Sequence, residues 1–155
     1  MMRTVAVLAL LVANPLAAQT CPSPAGWAKP ARHLAARTPD MKFALATGTS
    51  NEIGLLPANA VKLAVKGERP PKPGSTAGLA ALDVAKAGKL DVILSNATYV
   101  DLVRDGRTLK STGHTDLKTC PGLRKSVEFD VVPGRYIVQL TGAPEKSVKM
   151  ATALR

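Results

Sequence analysis

The chain has 155 residues, with 21 Lys and Arg against 11 Asp and Glu, a formal net charge of +10 and 3% aromatic residues. That length holds one domain, and the basic balance points to anionic surfaces such as acidic envelope polymers, lipid head groups or glycans. One Trp, two Tyr and two Phe are too few for a base-stacking platform, so nucleic acid is set aside as a partner.

The first segment, MMRTVAVLALLVANPLAAQT, has Arg3 as a short positive region, an apolar run from Val5 to Ala13, and small residues at Ala17 and Ala18. This is the pattern of a secretory signal peptide, residues 1–18, cut after Ala18. The run falls short of the about 20 apolar residues a membrane-spanning helix needs, so the mature chain carries no transmembrane segment. A periplasmic or secreted location follows. Lipid attachment at Cys21 is the alternative, but it wants a small residue directly before the cysteine and a leucine three before, where Thr20 and Ala18 stand. Cleavage would remove Arg3 and no acidic residue, leaving the chain strongly basic. In an oxidising compartment the only two cysteines, Cys21 and Cys120, pair. Closing a loop of that length contributes about 4–5 kcal/mol in the chain-entropy view and pins an N-terminus that would otherwise fray.

Residues 19–40 are rich in Pro and Ala. Pro22, Pro24, Pro30 and Pro39 forbid a long helix, and the stretch reads as an arm laid over the domain with Trp27 as its anchor. The domain itself spans residues 41–155. MKFALAT alternates Met41, Phe43 and Leu45 against Lys42, Ala44 and Ala46, and VKLAVKG alternates Val61, Leu63 and Val65 against Lys62, Ala64 and Lys66. Period two predicts strands in both. GERPPKPGST, residues 67–76, has too many Pro and Gly for either element and predicts an exposed loop. GLAALDVAKA and GKLDVILSN follow, parted near Gly88, with Leu90, Val92 and Leu94 on one face.

YVDLVRDGRTLKST centres on Asp105-Gly106, a two-residue hairpin turn. Pairing outward sets Leu102 opposite Leu109 and Asp101 opposite Lys110, and a one-residue slip destroys both matches. In KSVEFDVVPGRYIVQLTG, Val127, Phe129 and Val131 share a face, as do Tyr136, Val138 and Leu140. Pro133-Gly134 between them suits either a hairpin or a corner where the chain crosses between sheets. SVKMATAL closes the chain with Val148, Met150, Thr152 and Leu154 on one face. The whole predicts an all-β fold, an antiparallel β-sandwich of jelly-roll type with about eight strands.

Chemistry-bearing residues are few. HTDLKTC, residues 114–120, brings His114, Asp116 and Cys120 close in sequence, the residue types of a zinc site. Its spacing is no established motif, and a connecting loop tied down by Cys120 is the plainer reading. No Gly-x-Ser-x-Gly elbow is present. Asp83, Asp91, Asp101, Glu128 and Asp130 alternate with apolar residues as outward strand positions. Asn-Ala-Thr at 96–98 spells a glycosylation acceptor. The better candidate is the basic group Lys110, Lys118, Arg124 and Lys125 around the 110–125 connection, since loops at a sandwich end are common binding sites and arginine grips phosphate or carboxylate in a bidentate way.

The run YVDLVRDGRTL…CPGLRKSVEFDVVPGRYIVQL resembles a group of small secreted bacterial proteins. They share an export signal, an early cysteine, an Asp-Gly-Lys/Arg hairpin, a Cys-x-x-Ile/Leu-Arg-Lys-x-Val-x-Phe segment and a Pro-Gly-x-Tyr-x-x-Gln-Leu strand. The matches are Asp105-Gly106-Arg107, Cys120 with Leu123 to Phe129, and Pro133 to Leu140, with Cys21 in addition. Proteins of this group often carry the label homogentisate 1,2-dioxygenase. That label implies iron held by two imidazoles and a carboxylate, which here could come only from His33, His114 and an acidic residue such as Asp116. Three functions are therefore open: a non-catalytic module with no cofactor that binds an anionic envelope polymer or glycan through Lys110, Lys118, Arg124 and Lys125; an iron- or zinc-dependent enzyme using His114 and Asp116; and a structural accessory of an envelope assembly.

Overall fold

The computed structural model describes residues 18–67 and 69–155; the apolar run of the predicted signal peptide lies outside the described residues. Among the described residues twelve strands form two six-stranded sheets that pack face to face. They are β1 (Ala31–Leu34), β2 (Ala44–Ala46), β3 (Ser50–Gly54), β4 (Leu56–Pro57), β5 (Thr76–Val84), β6 (Gly88–Leu94), β7 (Tyr99–Arg104), β8 (Arg107–Thr108), β9 (Ser111–Asp116), β10 (Lys125–Val131), β11 (Gly134–Ala143) and β12 (Ser147–Leu154), with one 3₁₀ turn at Ala58–Ala60. The first sheet runs β1-β3-β12-β6-β10-β9; the second runs β2-β5-β11-β7-β8, with β4 also on β5. The all-β sandwich is as expected. The strand count exceeds the expected eight because short edge strands escape a pattern search that needs several alternations. Two pairs depart from antiparallel order: β1 on β3 and β2 on β5 are parallel.

The core lies between the sheets, where alternation puts every second residue. Leu90, Val92 and Leu94 of β6, Val127, Phe129 and Val131 of β10, and Val148 and Met150 of β12 meet Leu82, Leu102, Tyr136, Val138 and Leu140 of the other sheet. Phe43 departs from its predicted inward face and is 65% exposed; β2 begins only at Ala44, so of the MKFALAT pattern only Leu45 is buried.

Most connections change sheet. The exception that matters is β7–β8, the Asp105-Gly106 hairpin, where Asp105 (φ 51°) and Gly106 (φ 72°) both take the left-handed conformation of a type I′ turn. The Leu109 amide bonds the Leu102 carbonyl at 2.8 Å, so the predicted register holds. Pro133-Gly134 is the corner, not the hairpin: β10 lies in the first sheet and β11 in the second. The Tyr136 hydroxyl secures the corner, donating to the Val132 carbonyl at 2.8 Å and accepting from its amide at 3.0 Å.

VKLAVKG is not a strand. It crosses the outer face of the second sheet as a strap, and the wholly buried Gln139 replaces a neighbouring strand. The Gln139 Oε1 accepts from the amides of Ala64 (2.9 Å) and Val65 (3.3 Å), and its Nε2 donates to the Val65 carbonyl (3.2 Å). On the outer face of the first sheet, Ile93, Leu117, Cys120, Leu123 and Ala151 form a second small cluster with Trp27 packed on it. The arm therefore is anchored by Trp27, and it also contributes β1. Gly78 permits the arm to cross β5 closely: a Cβ there would stand 2.2 Å from the Ala35 Cβ.

Candidate functional site

β6 ends, and β7 and β10 begin, at one end of the sandwich. The β6–β7 connection is a closed polar turn. The Asn96 Oδ1 accepts from the Thr98 amide (3.1 Å) and hydroxyl (2.5 Å), while Asn96 Nδ2 donates to the Ser147 carbonyl (3.1 Å). Asn96 and Thr98 are buried, so the glycosylation spelling belongs to an internal turn. The turn delivers Tyr99 to the rim, with its ring lying against Gly142.

Two cations sit on that ring. The Arg69 guanidinium, from the Pro-rich loop, lies 4.7 Å from the ring centroid and donates to the tyrosine hydroxyl at 2.5 Å. The Lys125 Nζ, from the start of β10, lies 5.0 Å away. Cation–π contact of this kind stabilises each by about 0.5–2 kcal/mol. Lys125 is buried, and burial, followed by the charges of Arg124 and Arg69, pushes its ammonium below the usual lysine range. Arg124 reaches the Asp116 carboxylate at 3.3 Å. Asp101 lines the same cleft beside Arg69, Tyr99 and Thr141.

HTDLKTC resolves into a strand end and a turn. His114 and Asp116 lie on β9, an exposed edge strand rather than the expected loop, and its partner β10 supplies the ladder on one side only. Asp116 is fully engaged. It accepts from the Lys118 amide (2.9 Å), the Lys118 Nζ (3.2 Å) and Arg124, and these hold its carboxyl below the usual range, the Lys118 amide most of all. The turn then closes on the Cys21–Cys120 disulfide, with Cα atoms 5.5 Å apart. Gln19 adds two bonds there, donating to the Asp116 carbonyl (2.8 Å) and accepting from the Thr119 hydroxyl (3.2 Å).

Of the four predicted basic residues, Lys118, Arg124 and Lys125 gather at this end. Lys110 does not. It precedes β9 at the strand's far end, about 20 Å away at 3.4 Å per residue. Residues adjacent in the connection were expected to converge, but here the connection is itself extended. Arg69 and Tyr99 were missed. They meet across 30 positions, and neither has a local motif; the only available signal was a lone arginine in a proline-rich loop.

The residues do not fit an iron centre of two imidazoles and a carboxylate. His33 lies on β1 and His114 on β9, the two opposite edges of a six-stranded sheet, five strand spacings or about 24 Å apart. Among the described residues no group of three or more His, Cys, Asp or Glu could hold a metal ion. What the site can do is present fixed positive charge and an aromatic face to an anion. Among the described residues no helix is long and apolar enough to cross a membrane. No protein-family model matches the chain, and no curated protein matches it.

Proposed function

We propose that the chain is an exported, non-catalytic module that binds acidic groups of an envelope polymer or glycan at Arg69, Tyr99, Arg124 and Lys125. The carrying observation is the crowding of two cations, Arg69 and Lys125, on one tyrosine, with Lys125 held below its usual range by burial and then by the charges of Arg124 and Arg69. Like charges held together cost free energy, and a phosphate or carboxylate placed among them offsets that cost. The disulfide that ties the arm to the turn beside this site supports a periplasmic or extracellular setting, where such bonds persist. The resemblance of residues 99–140 to small exported bacterial proteins agrees with this reading, without the chemistry of their dioxygenase label.

The test is equilibrium binding to purified lipopolysaccharide and to a neutral glycan. Wild type is expected to bind only the acidic polymer, more weakly as salt rises. Arg69→Gln/Lys125→Gln is expected to lose about tenfold or more in affinity, and Lys110→Gln to lose little. Equal binding by wild type and the double variant, or binding indifferent to salt, would sink the proposal.

A further inference from the structure

A second site lies away from the basic end, at the side of the sandwich where β1 and β2 are the outermost strands of their sheets. Between them opens a groove of about 270 Å³. Its inner lining includes Leu45 and Ile53, both buried core residues, so it leads from the surface toward the space between the sheets. At its mouth stand Leu34, 88% exposed, and Phe43, 65% exposed, two of the four large apolar side chains exposed among the described residues. The His33 ring stacks on Phe43 with centroids 5.3 Å apart.

Exposed apolar groups beside an apolar cleft mark a binding site more often than an unburdened surface. The polar rim says what kind. Lys42 lines the groove and has no carboxylate within ion-pair distance among the described residues. The one carboxylate on the lining, Asp40, is already bonded by the Thr38 hydroxyl and neighbours Lys62. Lys42 and Lys62 together outweigh that one carboxylate, so local charge at the mouth is positive, and the imidazole of His33 adds a further donor. We propose that this groove binds a free medium-chain fatty acid, its tail between Leu34 and Phe43 toward Leu45 and Ile53, its carboxylate on Lys42. An apolar groove of this volume, with one lysine on its lining that has no carboxylate partner among the described residues, matches a single alkyl chain with one acidic head. None of these residues belongs to the Arg69–Tyr99–Lys125 cluster, so the two sites stand or fall separately.

The experiment uses the exported chain with decanoate and decyltrimethylammonium as probes, followed by calorimetry and by methyl NMR of Leu34, Leu45 and Ile53. Decanoate is expected to bind one per chain, shift those methyls and exceed the cationic amphiphile by about tenfold. Leu34→Ser/Phe43→Ser should lose about tenfold or more. Both side chains are exposed, so the fold, checked by circular dichroism, should persist. Lys42→Gln should narrow the gap between the two head groups, and Arg69→Gln/Lys125→Gln should bind decanoate as wild type does. Unmoved methyls at about 1 mM decanoate, equal binding of both head groups, or loss in the Arg69/Lys125 variant would each overturn the proposal. So would phosphatidylglycerol vesicles capturing the protein through Leu34 and Phe43 while decanoate leaves the methyls unmoved.

Discussion

The outer faces of the two sheets are each crossed by a strap, and the straps are held by opposite means. On the first sheet the arm is fixed by the Cys21–Cys120 bond and by Trp27 on an apolar cluster. On the second, residues 61–67 are fixed largely by one buried amide, Gln139, bonding the backbone at Ala64 and Val65. The first tie acts on the unfolded chain as well as on the folded one, because a covalent link removes its freedom. The second exists only in the folded state and exchanges water bonds for protein bonds, so its net contribution is smaller. The strap that carries Arg69 toward Tyr99 is thus the more weakly held of the two. Loops that bind are drawn from the less stable parts of a fold.

The largest effect should come from cutting the first tie. Cys21→Ser/Cys120→Ser is expected to lower stability by about 2–5 kcal/mol, read from the urea midpoint, while amide exchange at Ala64 and Val65 stays as in wild type. A loss well under about 1 kcal/mol would show that Trp27 and its cluster hold the arm alone. Trp27→Ala comes next, at about 2 kcal/mol, because the ring is only partly buried. Gln139→Leu should cost about 1–2 kcal/mol by leaving the amides of Ala64 and Val65 without their partner. It should also expose residues 61–75 to limited proteolysis, which the disulfide variant should not. If both variants open the same strap, the distinction between them fails.

The smallest effect concerns the part of the first sheet that neither strap covers among the described residues. There Lys89 bonds Glu128 and Asp130 at 3.1 Å, and Arg155 bonds Asp91 at 2.8 Å and Glu128 at 2.7 Å. Hydrogen bonds from Lys89, Arg155 and Thr112 hold the Glu128 carboxyl down at about 2. Its folded value lies below its unfolded one. The stabilisation is therefore fully present above the ordinary value of 4.5 and is lost as pH falls toward 2. The difference in urea midpoint between wild type and Glu128→Gln should shrink across that window. A difference constant from pH 6 to pH 2 would mean that the charge network contributes nothing that protonation can remove.

Much of the scaffold could be read residue by residue. The alternation in β10 and β12 placed Val127, Phe129, Val148 and Met150 in the core, and the Asp105-Gly106 turn set its own register. VKLAVKG misled because a strap lying on a sheet needs the same half-apolar pattern as a strand; only the partner of its amides, a side chain rather than a ladder, tells them apart. Of the candidate site, Arg124 and Lys125 were legible as a basic pair near the cysteine. Tyr99 and Arg69 were not, since their contact depends on where a remote loop lands.

By itself the sequence determined the all-β character, the inward residues of the long strands and the pairing of its only two cysteines. These follow from side-chain period, turn chemistry and elimination, which act within a few residues or on a count of two. The tertiary structure alone decided which strands share a sheet, that Pro133-Gly134 is a corner, that His33 and His114 stand at opposite edges, and that Arg69 and Lys125 meet on Tyr99. The reason is physical. A strand's pattern says which way its side chains point, but its neighbours are set by crossovers and by burial summed over the whole chain.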